Sequence, residues 1–286
     1  MLIEPFTTDF MLRALLGGSL VAVICAIAGT WVVIRGMAFL GEAMGHGMLP
    51  GVALAGLLGL PLLVGAGVSA VAMSLILGAL QRRGSLGYDT SIGLVFTGML
   101  SLGVIIVSHS RSFATDATAM LFGDILGVGV SDLWVLVVAL LLTLAIAVGF
   151  HRAFVAVAFD TRIAATLGLR PALAQQMLVA LVSLAVLASF QAVGTLLVIG
   201  LLLAPVMAAR PWVVRIGHLM FLAALCGILS VVIGLTISWH LGTAAGASIS
   251  AIAILGAGLS HALRALTNRS RPALESAQHS VSTVQS

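Results

Sequence analysis

The chain contains no lysine. A phosphate-cradling GxxxxGK[ST] loop cannot be completed without one, so an ATP site of that kind is excluded. Charged residues make up only 8% of the 286 positions, nine of them acidic, against about 25% in a soluble domain. No polar stretch is long enough to fold as a soluble or extracellular module. There are two cysteines, Cys25 and Cys226, both inside apolar runs. They read as small packing residues, not as a disulfide or a CxxC redox pair. HExxH and other hydrolytic constellations are also missing, which argues against an enzyme.

What remains is apolar. Hydrophobic residues make up 61% of the chain and the mean hydropathy is +1.23. The apolar runs are solid and about 16–24 residues long, which selects membrane helices over alternating barrel strands. The 32 glycines suit closely packed membrane helices. The net charge of +4 comes from 13 arginines and reports topology, not nucleic-acid binding. The first run is too long for a signal peptide and lacks a small-residue cleavage site.

The fold class is therefore all-α, a polytopic membrane protein of about nine spans, or eight if one pair is re-entrant. Residues 1–13 form a polar lead. Spans are expected over 14–34, 39–60 with a bend at Pro50, 61–82, 92–108, 133–150, 174–190, 194–209, 216–239 and 244–266. Gly194 marks either an external turn or a break in a re-entrant pair. Residues 151–173 form a non-spanning loop, and 267–286 are expected to be a disordered tail. With the C-terminus inside, eleven arginines fall in cytoplasmic segments and only Arg13 and Arg111 outside, a strong positive-inside bias.

Within 37–51, Glu42 and His46 lie four residues apart, one above the other on a helix face. Pro50 removes the donor that would meet the His46 carbonyl. Ionisable groups at membrane depth are costly and mark functional candidates. A carboxylate with an imidazole suits borderline divalent metals such as zinc, manganese or iron. The same residues also fit a glutamate at the water interface and a histidine hydrogen-bonded to a neighbouring helix.

In the loop, Asp160 is placed to cap a short helix, Ile163, Ala164 and Leu167 form its apolar face, and Gly168 ends it. Such a helix docks on a partner groove or rests on lipid headgroups. Glu4, Asp9, Asp116, Asp124 and Asp132 gather on the outer side, as an acidic mouth or as ordinary loop. His240 and His109 are candidate ligands at that mouth. Pro205 frees the Leu201 carbonyl, or simply kinks its helix.

Five stretches, taken together, resemble the permease subunits of metal-uptake ABC transporters. They are Phe39-Leu40-Gly41-Glu42-Ala43-Met44-Gly45-His46-Gly47-Met48-Leu49-Pro50-Gly51, Asp89-Thr90-Ser91-Ile92-Gly93-Leu94-Val95-Phe96 and Leu121-Phe122-Gly123-Asp124-Ile125-Leu126. The others are the loop bearing Phe159-Asp160, Ala164 and Leu167-Gly168-Leu169, and the helix from Gly194-Thr195-Leu196-Leu197 to Ala204-Pro205. The match runs over about residues 10–266 with the motifs in order.

The resemblance implies a type II ABC-importer-like permease in the bacterial inner membrane, working as a homodimer. It implies a cytoplasmic ATP-binding subunit docked on Phe159, Asp160, Ala164, Leu167 and Gly168, and an extracytoplasmic metal-binding protein that delivers the ion. Glu42 and His46 fall on the family's metal path, with Glu42 in place of the usual aspartate and Gly45 in place of a serine. The cargo would be zinc or manganese, with no permanently bound cofactor. An ion-coupled secondary transporter using the same pair is the alternative, in which the loop would be dispensable.

Overall fold

The computed structural model describes residues 8–82, 87–108 and 124–282. Among them, every regular element is helical. Glu4, Arg83, His109, Arg111, Asp116 and the motif residues Leu121, Phe122 and Gly123 lie outside the described residues, so their expected roles gain no structural account.

Twelve α-helices follow one another among the described residues. They are α1 (Asp9–Ile34), α2 (Ala38–Gly47), α3 (Leu49–Leu58), α4 (Leu62–Arg82), α5 (Tyr88–Ser108), α6 (Val130–Gly149), α7 (His151–Phe159), α8 (Thr161–Thr166), α9 (Pro171–Val193), α10 (Thr195–Ala209), α11 (Ile216–Leu241) and α12 (Ala245–Ser282). A single 3-10 turn, Ile125–Gly127, precedes α6. Seven helices, α1, α4, α5, α6, α9, α11 and α12, are long and apolar enough to cross a membrane. The two other expected spans are the broken pair α2–α3 and the 15-residue α10.

The break in the second span falls at Met48, ahead of Pro50. Pro50 occupies the first turn of α3, where its missing N–H costs nothing. The helix therefore restarts with the proline instead of bending around it. The His46 carbonyl, expected to be unpaired, accepts the Met48 N–H where α2 ends. Pro205, in contrast, sits inside α10 without ending it. Helix α12 continues past residue 266 to Ser282.

Helix α1 runs through the core and packs on α6, α9, α10 and α11. Trp31 is fully buried near its end. Helix α10 is apolar throughout and largely buried, as expected of a helix with protein on nearly all sides. Gly194 joins α9 to α10 as a single residue, with φ +76°, and it is buried. An exposed external turn is therefore not what links them. The glycine accepts a φ that other residues resist.

Glycines set the closest approaches. A Cβ added at Gly29 would overlap the Leu202 carbonyl, and one at Gly41 would overlap the Leu202 side chain. Gly51 of α3 and Gly65 of α4 present their backbones to one another, each occupying the space a Cβ on the other would need. Gly98 of α5 meets nothing within 4 Å. Gly29→Ala should therefore lower the unfolding temperature, at a cost of about 1–3 kcal/mol from overpacking. Gly98→Ala should leave it unchanged or raise it, because alanine favours a helix by about 0.5–1 kcal/mol over glycine. Thermal unfolding of the purified variants in detergent checks both signs.

Candidate functional site

Helix α2 has two distinct faces. Leu40, Gly41, Ala43, Met44, Gly45 and Gly47 are buried. On the other side Glu42 and Phe39 are exposed and His46 is half-buried. The four-residue spacing thus does place carboxylate and imidazole together on the open face. The His46 ring lies 6.1 Å from the Phe96 ring of α5 at a steep angle, and Phe39 meets Phe96 edge-on at 5.4 Å. Phe96 therefore walls one side of the imidazole. Sequence reasoning quoted it only as the end of a motif. Nothing local showed that it would meet His46.

The back of α2 is locked. Gly41 receives Leu202, and Gly47 receives the Met73 thioether. The Ser183 hydroxyl reaches the Met44 sulfur at 3.3 Å and the Ser74 hydroxyl at 2.9 Å, tying α2 to α9 and α4. These contacts fix the rotation of α2, so Glu42 and His46 cannot turn into the apolar packing behind them.

Among the described residues, no group of three His, Cys, Asp or Glu is close enough to hold a metal. For a metal ion one chain would offer two ligands here, Glu42 and His46, leaving water, backbone oxygen or a second copy to complete a shell. An incomplete shell suits passage, since a closed cage would retain the ion. His240 does not complete it. It is exposed at the end of α11, with Nδ1 hydrogen-bonded to the Thr236 carbonyl of its own helix at 2.8 Å.

Two of the acids expected on the outer side are engaged in local structure. Asp124 Oδ1 accepts the Leu126 and Gly127 N–H groups at 3.2 and 3.1 Å. Asp132 Oδ2 accepts the Gly129 N–H at 2.9 Å. Both carboxylates cap backbone donors, which fixes where their charge sits. Asp9 is exposed in the first turn of α1.

The loop 151–173 forms two short helices. Trp31 packs edge-on against Phe154 at 5.2 Å, and the Arg35 guanidinium donates to the Val157 carbonyl, so α7 is anchored on the end of α1. Asp160 Oδ1 accepts the Arg162 N–H at 2.7 Å, capping α8. Gly168 has φ +71°, with Leu169 N–H on the Ala164 carbonyl and Gly168 N–H on the Ala165 carbonyl, a Schellman ending. Ala164 is buried, whereas Phe159, Ile163 and Leu167 are 84%, 54% and 64% exposed. The expected apolar face is therefore split, with Ala164 turned inward and Ile163 and Leu167 outward, beside the exposed Phe159 at the end of α7.

A many-helix membrane protein with an ionisable pair on a broken helix, and an apolar hook anchored to its first helix, has the layout of a transport permease. The chain belongs to the ABC 3 transport family, which matches residues 7–262. It is 30% identical over 246 residues to the manganese transport system membrane protein MntC of Listeria innocua, covering 86% of this chain and 88% of that one. It is 33% identical to the chelated iron transport system membrane protein YfeD of Yersinia pestis, covering 88% and 84%. Among solved structures, PsaBC from Streptococcus pneumoniae in complex with Fab superposes with a TM-score of 0.79 at 28% identity, covering 91% of this chain and 94% of that one. The resemblance drawn from the five motifs holds.

The two faces of α2 make an accessibility prediction. With Cys226 replaced by serine, Glu42→Cys should be alkylated by a membrane-impermeant maleimide in opened membrane vesicles, and Met44→Cys should not. Labelling followed by mass spectrometry checks it, and equal labelling at both positions would contradict the two-faced helix.

Proposed function

We propose that this chain, the permease of a metal-ion ABC importer, carries manganese(II) inward past Glu42 and His46. The observation that carries the reading is the placement of these two side chains together on the open face of α2, while its back is held by Leu202, Met73 and Ser183. The names of similar proteins favour manganese, with iron second. A hard carboxylate with one imidazole and water suits manganese at least as well as zinc. Membership in an ABC family removes the basis for the ion-coupled alternative.

Two copies related by a twofold axis would each contribute one Glu42–His46 pair, giving the ion two carboxylates and two imidazoles along its path. The exposed Phe159, Ile163 and Leu167 dock a separate ATP-binding subunit, which supplies the energy this lysine-free chain cannot. An extracytoplasmic metal-binding protein presents the ion. The arginine distribution supports a cytoplasmic C-terminus, which puts α7 and α8 on the ATPase side.

Uptake of radioactive manganese by cells expressing the whole transporter tests the path. Losing a group that merely orients a ligand costs about 10–100-fold, so Glu42→Ala and His46→Ala should each lower uptake at least about tenfold with the complex still assembled. Glu42→Asp should retain part of it. Competing zinc and iron(II) identify the preferred ion. Undiminished uptake in both alanine variants would assign the path elsewhere. Separately, Phe159→Ala combined with Leu167→Ala should sharply reduce co-purification of the ATP-binding subunit, because buried apolar anchors dominate interface energy, while Glu42→Ala should not.

A further inference from the structure

A groove of about 370 Å³ opens between α10, α11 and α12, away from Glu42 and His46. Its walls include Pro205, Cys226, Leu229, Ile233, Ala253 and Gly256. Leu229 and Ile233 are exposed on its rim, and a Cβ on Gly256 would stand in open space. The groove is thus an indentation in the surface of the helix bundle, with two of its walls, α11 and α12, long and apolar enough to span a membrane.

One end of the groove is different. Trp212 lies there, its indole N–H donating to Ser260 Oγ at 2.8 Å, and Ser260 donating to the Ala208 carbonyl at 2.6 Å. The Arg264 guanidinium stacks 5.5 Å over the Trp212 ring. The guanidinium charge lies over the ring, where cation–π attraction holds it at this end of the groove. Arg210 and Arg215 are exposed at the two ends of the link between α10 and α11. No Asp or Glu occurs between Asp160 and Glu275, so this end carries positive charge that its own stretch of chain does not offset.

We propose that this groove binds one anionic phospholipid, with an acyl chain along Leu229, Ile233 and Gly256 and the headgroup phosphate on Arg264. A tryptophan–arginine pair at the end of a membrane helix is suited to the headgroup level, and arginines there favour anionic over zwitterionic lipid. A second copy of the chain is a poorer occupant. Twofold pairing through this face would bring arginine clusters together with no carboxylate to separate them. The inference rests on membrane embedding alone and is independent of which metal is carried.

The test uses the purified permease–ATPase complex, delipidated in detergent and analysed by native mass spectrometry after adding back phosphatidylglycerol or phosphatidylethanolamine. One arginine near a membrane surface contributes about 1 kcal/mol toward an anionic headgroup, or about a fivefold preference. Wild type should show that preference for phosphatidylglycerol, and Arg264→Gln should abolish it. Gly256→Phe, which fills the groove, should reduce occupancy by both lipids. A preference unchanged in Arg264→Gln overturns the proposal, as does unchanged occupancy in Gly256→Phe. If the latter variant fails to fold, Arg264→Gln decides alone. Disulfide crosslinking between copies through Leu229→Cys on the exposed rim, with Cys226→Ser, would assign the groove to a protein interface and also overturn it.

Discussion

At Leu202 the backbone of α10 lies against Gly29 of α1 while its side chain lies against Gly41 of α2. In a bilayer, lipid tails are as apolar as leucine, so helices gain little from hiding apolar surface and must associate through close contact. One residue of a buried helix thereby sets the distance between the first helix and the helix bearing the ionisable pair. Gly51 and Gly65 do the same for α3 and α4. The glycines are less a source of flexibility here than a way of bringing backbones within van der Waals range.

This packing explains how a glutamate is kept at its station. A helix free to rotate would turn Glu42 toward whatever water it could reach. Contacts behind α2, from Leu202, Met73 and Ser183, remove that freedom. What faces forward is then decided by the helical repeat, and it is the carboxylate and the imidazole. The break at Met48 confines this face to about three turns, so the pair is held by a short segment with protein packed on one side and an exposed face on the other.

Much of this was legible in the chain because the signals were local. Apolar run length marked the spans, the spacing of Glu42 and His46 marked one face, and Asp160 and Gly168 marked the start and end of a helix that the structure caps and ends with those residues. The break beside Pro50 was misplaced by two residues because proline is as comfortable starting a helix as it is disruptive within one. The meeting of Phe96 with His46, and of Trp31 with Phe154, depends on which helices become neighbours, and one sequence does not state that. Asp124 and Asp132 read as surface charge, although each is spent on backbone donors two or three residues away.

The joint at Gly194 has a mechanical consequence. Most connections between membrane helices have slack, and slack absorbs motion. Here a single buried residue connects α9, which begins directly after the α8 ending, to α10, which carries Leu202. A displacement entering at Pro171 therefore has no loop in which to dissipate before it reaches the helix wedged against α1 and α2. Two helices in series with a one-residue joint leave little slack between the hook and the helix wedged against α1 and α2.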